Sequence, residues 1–202
     1  MEGTVVVRRA RPHEIDKLLL VESATWPEDQ AFTREHFECQ FGVFPDGIYL
    51  AEIDGKPVGS GVFEIMYYDL DNPIPTWYEA TDNGFLRESH NPAGDTMYGV
   101  SLSVIPTSPA VRVGSRMLRE AQAIVKEKGL AKLALGARVP GFCDFDGTIE
   151  EYLAFRTSRG YYLDPELNFY VRNGFRVVKP LPGYFEDPES RGYGVLIVWT
   201  PE

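Results

Sequence analysis

Residues Met97 to Gly129 read MYGVSLSVIPTSPAVRVGSRMLREAQAIVKEKG, and a change of period inside this stretch decides the fold. Met97 to Ile105 is a short run rich in β-branched and aromatic residues, which suit a pleated, half-buried surface. The PTSPA that follows carries two prolines, which cannot donate to a sheet ladder, so the strand stops there. From Val113 the apolar positions recur at three- and four-residue steps, through Met117, Leu118, Ala121, Ile124 and Val125, which marks one helical face. Lys126 and Lys128 suit the negative end of that helix, and Gly129 suits a left-handed C-cap. A helix that begins just after a strand leaves its first N–H groups unpaired beside the positive end of its dipole. That arrangement suits an anion such as phosphate, with Gly114 allowing close approach to the main chain. An ordinary strand-to-helix connection with no ligand fits the same residues.

At 202 residues the chain is read as one α/β domain over residues 1–202, with enough sequence to bury a real core. There is no apolar run long enough to span a membrane, and MEGTVVVRRA lacks a signal-peptide pattern, so a soluble cytoplasmic protein is expected. Cys39 and Cys143 lie far apart without a CxxC pair, and His13, His36 and His90 are scattered, so neither a disulfide framework nor a metal site is indicated. A net charge of -10 disfavours binding to nucleic acid or an anionic membrane. An anionic ligand would need a local positive patch, and Arg112, Arg116 and Arg119 share one side of the helix near its start.

Upstream, VVVRRARP (Val5 to Pro12) reads as a strand, and two helices follow, one with Ile15, Leu18, Leu19 and Glu22 setting its faces and one starting at Thr33. Asp54-Gly55 is the strongest hairpin signal and joins Tyr49 to Ile53 with Pro57 to Met66. The segment from Tyr67 to Asp95 is long for a connection within a compact domain. Its three large aromatics, Trp77, Tyr78 and Phe85, favour a lid or binding loop over a disordered tether.

Downstream, Leu130 to Val139 reads as the strand that completes a right-handed parallel βαβ unit. Thr148 and Glu151 form a capping box that opens a short helix. Asp164-Pro165 opens another, closed by Gly174, and FRVVKPL and YGVLIVW are the last two strands. The expected class is α/β: a mixed, mostly antiparallel sheet of about seven strands with a parallel βαβ unit at its centre and helices on both faces.

This order of elements resembles the GNAT N-acetyltransferases over nearly the whole chain. The most specific residues are YVRNGF (Tyr170 to Phe175), which look like the family's Tyr-x-x-x-Gly-Phe, and the turn PTSPAVRVGS. In that turn Pro109 and Arg112 stand where the family pattern has Gln or Arg and the first Gly, while Gly114 keeps the last. GARVPGF, EEY, DPELNF and RNGF look most like the GNAT-like domain found fused to carbon-nitrogen hydrolases.

The resemblance implies an N-acyltransferase moving acetyl from acetyl-CoA, as co-substrate, to a small-molecule or peptide amine by direct attack. It places the pyrophosphate on Val111, Arg112, Val113, Gly114 and Ser115, and the pantetheine arm along Leu102, Val104 and Ile105. Tyr170 matches the general acid for the leaving thiolate, a phenol protonated at neutral pH. Glu64, late in its strand, is the candidate base, and Ser101 and Ser103 could line the same face. Asp69, Asp71 and Glu79 would favour a cationic acceptor. A homodimer is common in the family. A non-catalytic acyl-CoA sensor and a protein-interaction module on the same fold are the alternatives.

Overall fold

The structure is a computed structural model that describes residues 4–106 and 113–201. Seven strands form one sheet: β1 (Val5–Arg9), β2 (Ile48–Ile53), β3 (Lys56–Met66), β4 (Thr96–Val104), β5 (Lys132–Ala137), β6 (Arg176–Leu181) and β7 (Gly194–Trp199). Their order is β1-β2-β3-β4-β5-β7-β6, and only the β4–β5 pair is parallel. This is the mixed, mostly antiparallel sheet anticipated from the chain.

Helices cover both faces. One carries α1 (Ile15–Thr25), α2 (Arg34–Val43) and the short α3 (Trp77–Thr81); the other carries α4 (Val113–Lys128), α5 (Ile149–Ala154) and α6 (Pro165–Arg172). The stripe read from the sequence is the buried face of α4: Val113, Met117, Leu118, Ala121, Ile124 and Val125 are all in the core. Each of these side chains except Ala121 contributes roughly 1.5–3 kcal/mol when fully buried, more than local propensity supplies.

Local chemistry sets the element ends. Asp54 and Gly55 both take positive φ, 51° and 77°, which matches the twist of a two-residue hairpin between β2 and β3. Thr33, Thr148 and Asp164 cap α2, α5 and α6 through their side-chain oxygens. Two strands are shorter than read by more than one residue. β1 stops at Arg9 because Pro12 opens a 3-10 turn. β5 starts only at Lys132 because the Leu130 N–H folds back onto the Val125 carbonyl behind Gly129, whose φ is 66°.

The feature that matters for function lies at the centre of the sheet. The parallel ladder between β4 and β5 ends at Tyr98–Ala134, and the two strands then separate. Opposite β3 the register of β4 shifts between Ser101 and Gly99, so Val100 is an extra residue and β4 is bulged there. Among the described residues, no helix is long and apolar enough to cross a membrane.

Candidate active site

Where β4 and β5 part, they open a cleft of about 280 Å³ between the two helical layers. Its walls include Glu22 and Trp26 from α1 and the residue after it, Gly99 to Leu102 from β4, Leu135 to Ala137 from β5 with Arg138 just beyond it, and Glu166 and Tyr170 from α6. The long 67–95 segment folds over one end, contributing Trp77, Tyr78 and Asn83. It is anchored rather than trailing: Trp77 Nε1 donates to the Val100 carbonyl at 3.0 Å, at the bulge itself, and the Trp77 N–H donates to the Tyr184 carbonyl.

The open edge of β4 is defined by its alternation. The Ile105 N–H donates to the Val58 carbonyl of β3, so Ser103 and Ser101 also turn their main-chain groups towards β3. The N–H and C=O of Leu102 and Val104 therefore face the separated edge, beyond the end of the β5 ladder. Such an edge fits an extended chain bearing amide groups.

Tyr170 is 8 % exposed and reaches the cleft, and no hydrogen bond to its hydroxyl is recorded among the described residues. Burial, with the nearby Glu166 charge adding to it, raises its pKa well above that of an ordinary phenol. Burial pushes the Glu166 carboxyl up to about 7 against the pull of Arg138. Arg138 donates from Nε to Asp187 at 2.9 Å and from a terminal nitrogen to Glu189 at 3.0 Å, and its guanidinium lies 5.5 Å from the Trp26 ring centroid. Asp29 and Glu186 complete an acid-rich rim.

The other residues singled out from the sequence fall as follows. Val113 and Gly114 are buried at the start of α4, Ser115 is half-buried, and Val111 and Arg112 lie outside the described residues, as does Pro109. A Cβ at Gly114 would stand 2.9 Å from Phe169 Cζ, so this glycine lets α4 pack against α6. Arg116 donates to the Val5 carbonyl of β1, and Arg119 is exposed. Glu64 is fully buried, accepts from Ser89 Oγ at 2.7 Å, and is not among the residues that line the cleft. Asp69, Asp71 and Glu79 are likewise absent from its walls, and Asp69 is occupied with the Asp71 N–H and the Asn72 amide of its own turn.

The sequence reading missed Glu22, Trp26, Arg138, Glu166 and Asp187 as site residues. One signal was available for Glu22: it sits beside Val21 and one turn after Leu18 on the buried face of α1, where an acid is rare without a partner. Its partners are Ser60 Oγ at 3.1 Å and Ser103 Oγ at 3.4 Å, both donating to Oε1, and the Phe32 N–H, which donates to Oε2 at 3.2 Å. Trp26 Nε1 donates to Ser103 Oγ at 2.7 Å.

No family model matches the chain. It is 29% identical over 202 residues to the probable hydrolase YhcX of Bacillus subtilis, covering 98% of this chain but only 39% of that protein. It is 28% identical over 201 residues to YkwB of the same organism, described as an uncharacterized N-acetyltransferase, covering 96% of this chain and 88% of the relative. Among solved structures, the loading GNATL domain of CurA from Lyngbya majuscula superposes with a TM-score of 0.83 at 21% identity, over 98% of both chains. The GphF GNAT-like decarboxylase, solved with isobutyryl-CoA, gives 0.77 at 22% identity, over 96% of this chain and 98% of that one.

Proposed function

With the GNAT fold of this chain as the premise, we propose that it moves an acyl group, acetyl first of all, from acyl-CoA to an amine. The observation that carries this reading is the open β4 edge at Leu102 beside a buried phenol, Tyr170, whose hydroxyl has no hydrogen-bond partner among the described residues, within one cleft. The YkwB relative, an uncharacterized N-acetyltransferase matched over most of its length, supports the same reading.

Bound acyl-CoA supplies an activated thioester. Leu102 and Val104 offer main-chain groups to its arm, and the first N–H groups of α4, at Val113, Gly114 and Ser115, suit its phosphates. Glu186 and Asp29, with Glu166 where it is ionised, attract a cationic amine, whether on a small molecule or a peptide. Tyr170, held protonated by burial, donates its proton to the departing sulfur. No covalent intermediate on the protein is required.

The test is release of free CoA thiol from acetyl-CoA in the presence of a panel of primary amines, with mass spectrometry of the acceptors. Thiol release matched by acetylated amine supports the reading. A second reading, decarboxylation of a β-carboxylated acyl-CoA, is favoured by the resemblance in shape to the GphF decarboxylase. In the same assay it appears as carbon dioxide released from malonyl-CoA without free thiol. Binding of acetyl-CoA with neither product would favour a non-catalytic sensor.

A further inference from the structure

The acid-rich rim draws an amine as its cation, and that cation must shed a proton before its lone pair can attack. Resting on the N-acyl-transfer reading, we propose that Ser101, Ser103 and Glu22 form a relay that carries this proton from the cleft to the buried carboxylate of α1.

The direction of the relay follows from counting hydrogens. Ser103 Oγ has three polar neighbours: Trp26 Nε1 at 2.7 Å, Glu22 Oε1 at 3.4 Å and Ser101 Oγ at 3.4 Å. An indole N–H only donates, and an ionised carboxylate only accepts. The single Ser103 hydrogen therefore points to Glu22, and Ser103 accepts from both Trp26 and Ser101. That commits the Ser101 hydrogen inward and leaves the Ser101 lone pairs for a donor in the cleft, which Ser101 lines. Ser103 and Glu22 are each 2 % exposed, although Glu22 also borders the cleft, while Ser101 is only half-buried.

The bulge at Val100 sets which face of the sheet the two serines share. Without the extra residue Ser101 would face the opposite side of the sheet from Val100. With it, Val100 packs in the core beneath α1 and α2, and Ser101 stands beside Ser103. Ser60 and the Phe32 N–H hold the carboxylate in place. Burial raises the Glu22 pKa against the pull of those donors, which narrows the gap between it and an amine. The titratable groups facing the same cleft, besides Tyr78 and Tyr170, are Asp29, His36, Arg138, Glu166, Glu186 and Asp187; among the described residues none is hydrogen-bonded to Glu22.

The step balances. The ammonium proton passes to Ser101 as the Ser101 proton moves to Ser103 and the Ser103 proton to Glu22. The freed lone pair forms the N–C bond, the C–S bond breaks with its electrons on sulfur, and Tyr170 protonates that sulfur. The proton shed by the acylated nitrogen restores Tyr170, and Glu22 returns its own to solvent.

The test is kcat and KM across neutral and alkaline pH, with acetyl-CoA and an amine active in the screen, for wild type, Ser101→Ala, Ser103→Ala, Glu22→Gln and Ser101→Thr. The three relay-breaking variants should lower kcat at neutral pH by about 10²-fold, with acetyl-CoA affinity unchanged. The deficit should close at alkaline pH, where the amine loses its proton unaided, and Ser101→Thr should restore most of the rate. Folding is checked by circular dichroism, and Ser101, only half-buried, decides the matter should Glu22→Gln or Ser103→Ala fail to fold. A kcat within about twofold of wild type, a deficit equal at all pH, or no rescue by threonine overturns the relay alone. A wild type that binds acetyl-CoA yet acetylates no amine overturns the transfer reading, and the relay with it.

Discussion

Replacing Glu64 by Gln should stabilise the protein, and increasingly so as pH rises. Glu64 is fully buried on β3, with Ser89 donating to one oxygen and the other, Oε1, without a partner among the described residues. Burial, opposed by the Ser89 bond and reinforced by the Asp82 charge, lifts its pKa from 4.5 to about 8. Between those two values the folded chain holds a proton that the unfolded chain has released. Stability from this group is therefore fully present below about pH 4.5 and is lost as pH rises through about 8. At ~1.36 kcal/mol for each pH unit the loss reaches about 3 kcal/mol at pH 7 as an upper figure, and relaxation around the carboxyl reduces it. Gln keeps an oxygen for Ser89 and stays neutral at every pH. Urea unfolding of both proteins should show the variant gaining about 2 kcal/mol on wild type between about pH 5 and about pH 8, other titrations cancelling in the difference. A difference that stays constant over that range would refute the assignment of a buried, protonated carboxyl.

Gly114→Val places its side chain against Phe169, 2.9 Å from where the Cβ would sit. It should cost about 1–3 kcal/mol in urea unfolding, with partial relief in a Gly114→Val, Phe169→Ala double variant. Tyr170→Phe should lower kcat about 10²-fold while leaving calorimetric acetyl-CoA affinity unchanged, and wild-type activity should persist past the ordinary phenol pKa of about 10 because burial raises that of Tyr170. Asp164 is fully buried and accepts from the N–H groups of Glu166, Leu167 and Gly141 and from the Tyr152 hydroxyl. Asp164→Ala removes the α6 cap and strands those donors, so it should cost about 3 kcal/mol, with Asp164→Asn well below that.

The elements were legible because their signals are local. The α4 stripe, the Asp54-Gly55 hairpin and the caps at Thr33, Thr148 and Asp164 each rest on neighbours within a turn or two. That Tyr170 would stand at the cleft was legible through its motif, its role as an acid being a proposal. The cleft was less so, because its bonds join residues distant in the chain: Glu22 with Ser60 and Ser103, Trp26 with Ser103, and Arg138 with Asp187. Which of those meet depends on strand order and on a one-residue bulge. A period-two reading of β4 puts Ser101 and Ser103 on one face but does not reveal that Val100 shares it. Glu64 looked as available as any strand carboxylate, but it is buried against Ser89 away from the cleft, which Glu22 borders.

The bulge also ties the long 67–95 segment to the cleft. A strand that gains a residue turns a carbonyl out of its ladder, and that carbonyl needs a donor. Val100 finds one in Trp77 Nε1, whose helix is in turn held by the Tyr184 carbonyl and packed against Phe32. The wall contributed by this segment is thus tied to the same distortion that brings Val100 and the two serines to one face. A change at Val100 or Trp77 would reach the serine pair and the cover together. The acids around the cleft come from four different places in the chain, so acceptor choice can vary through them while this central geometry stays the same.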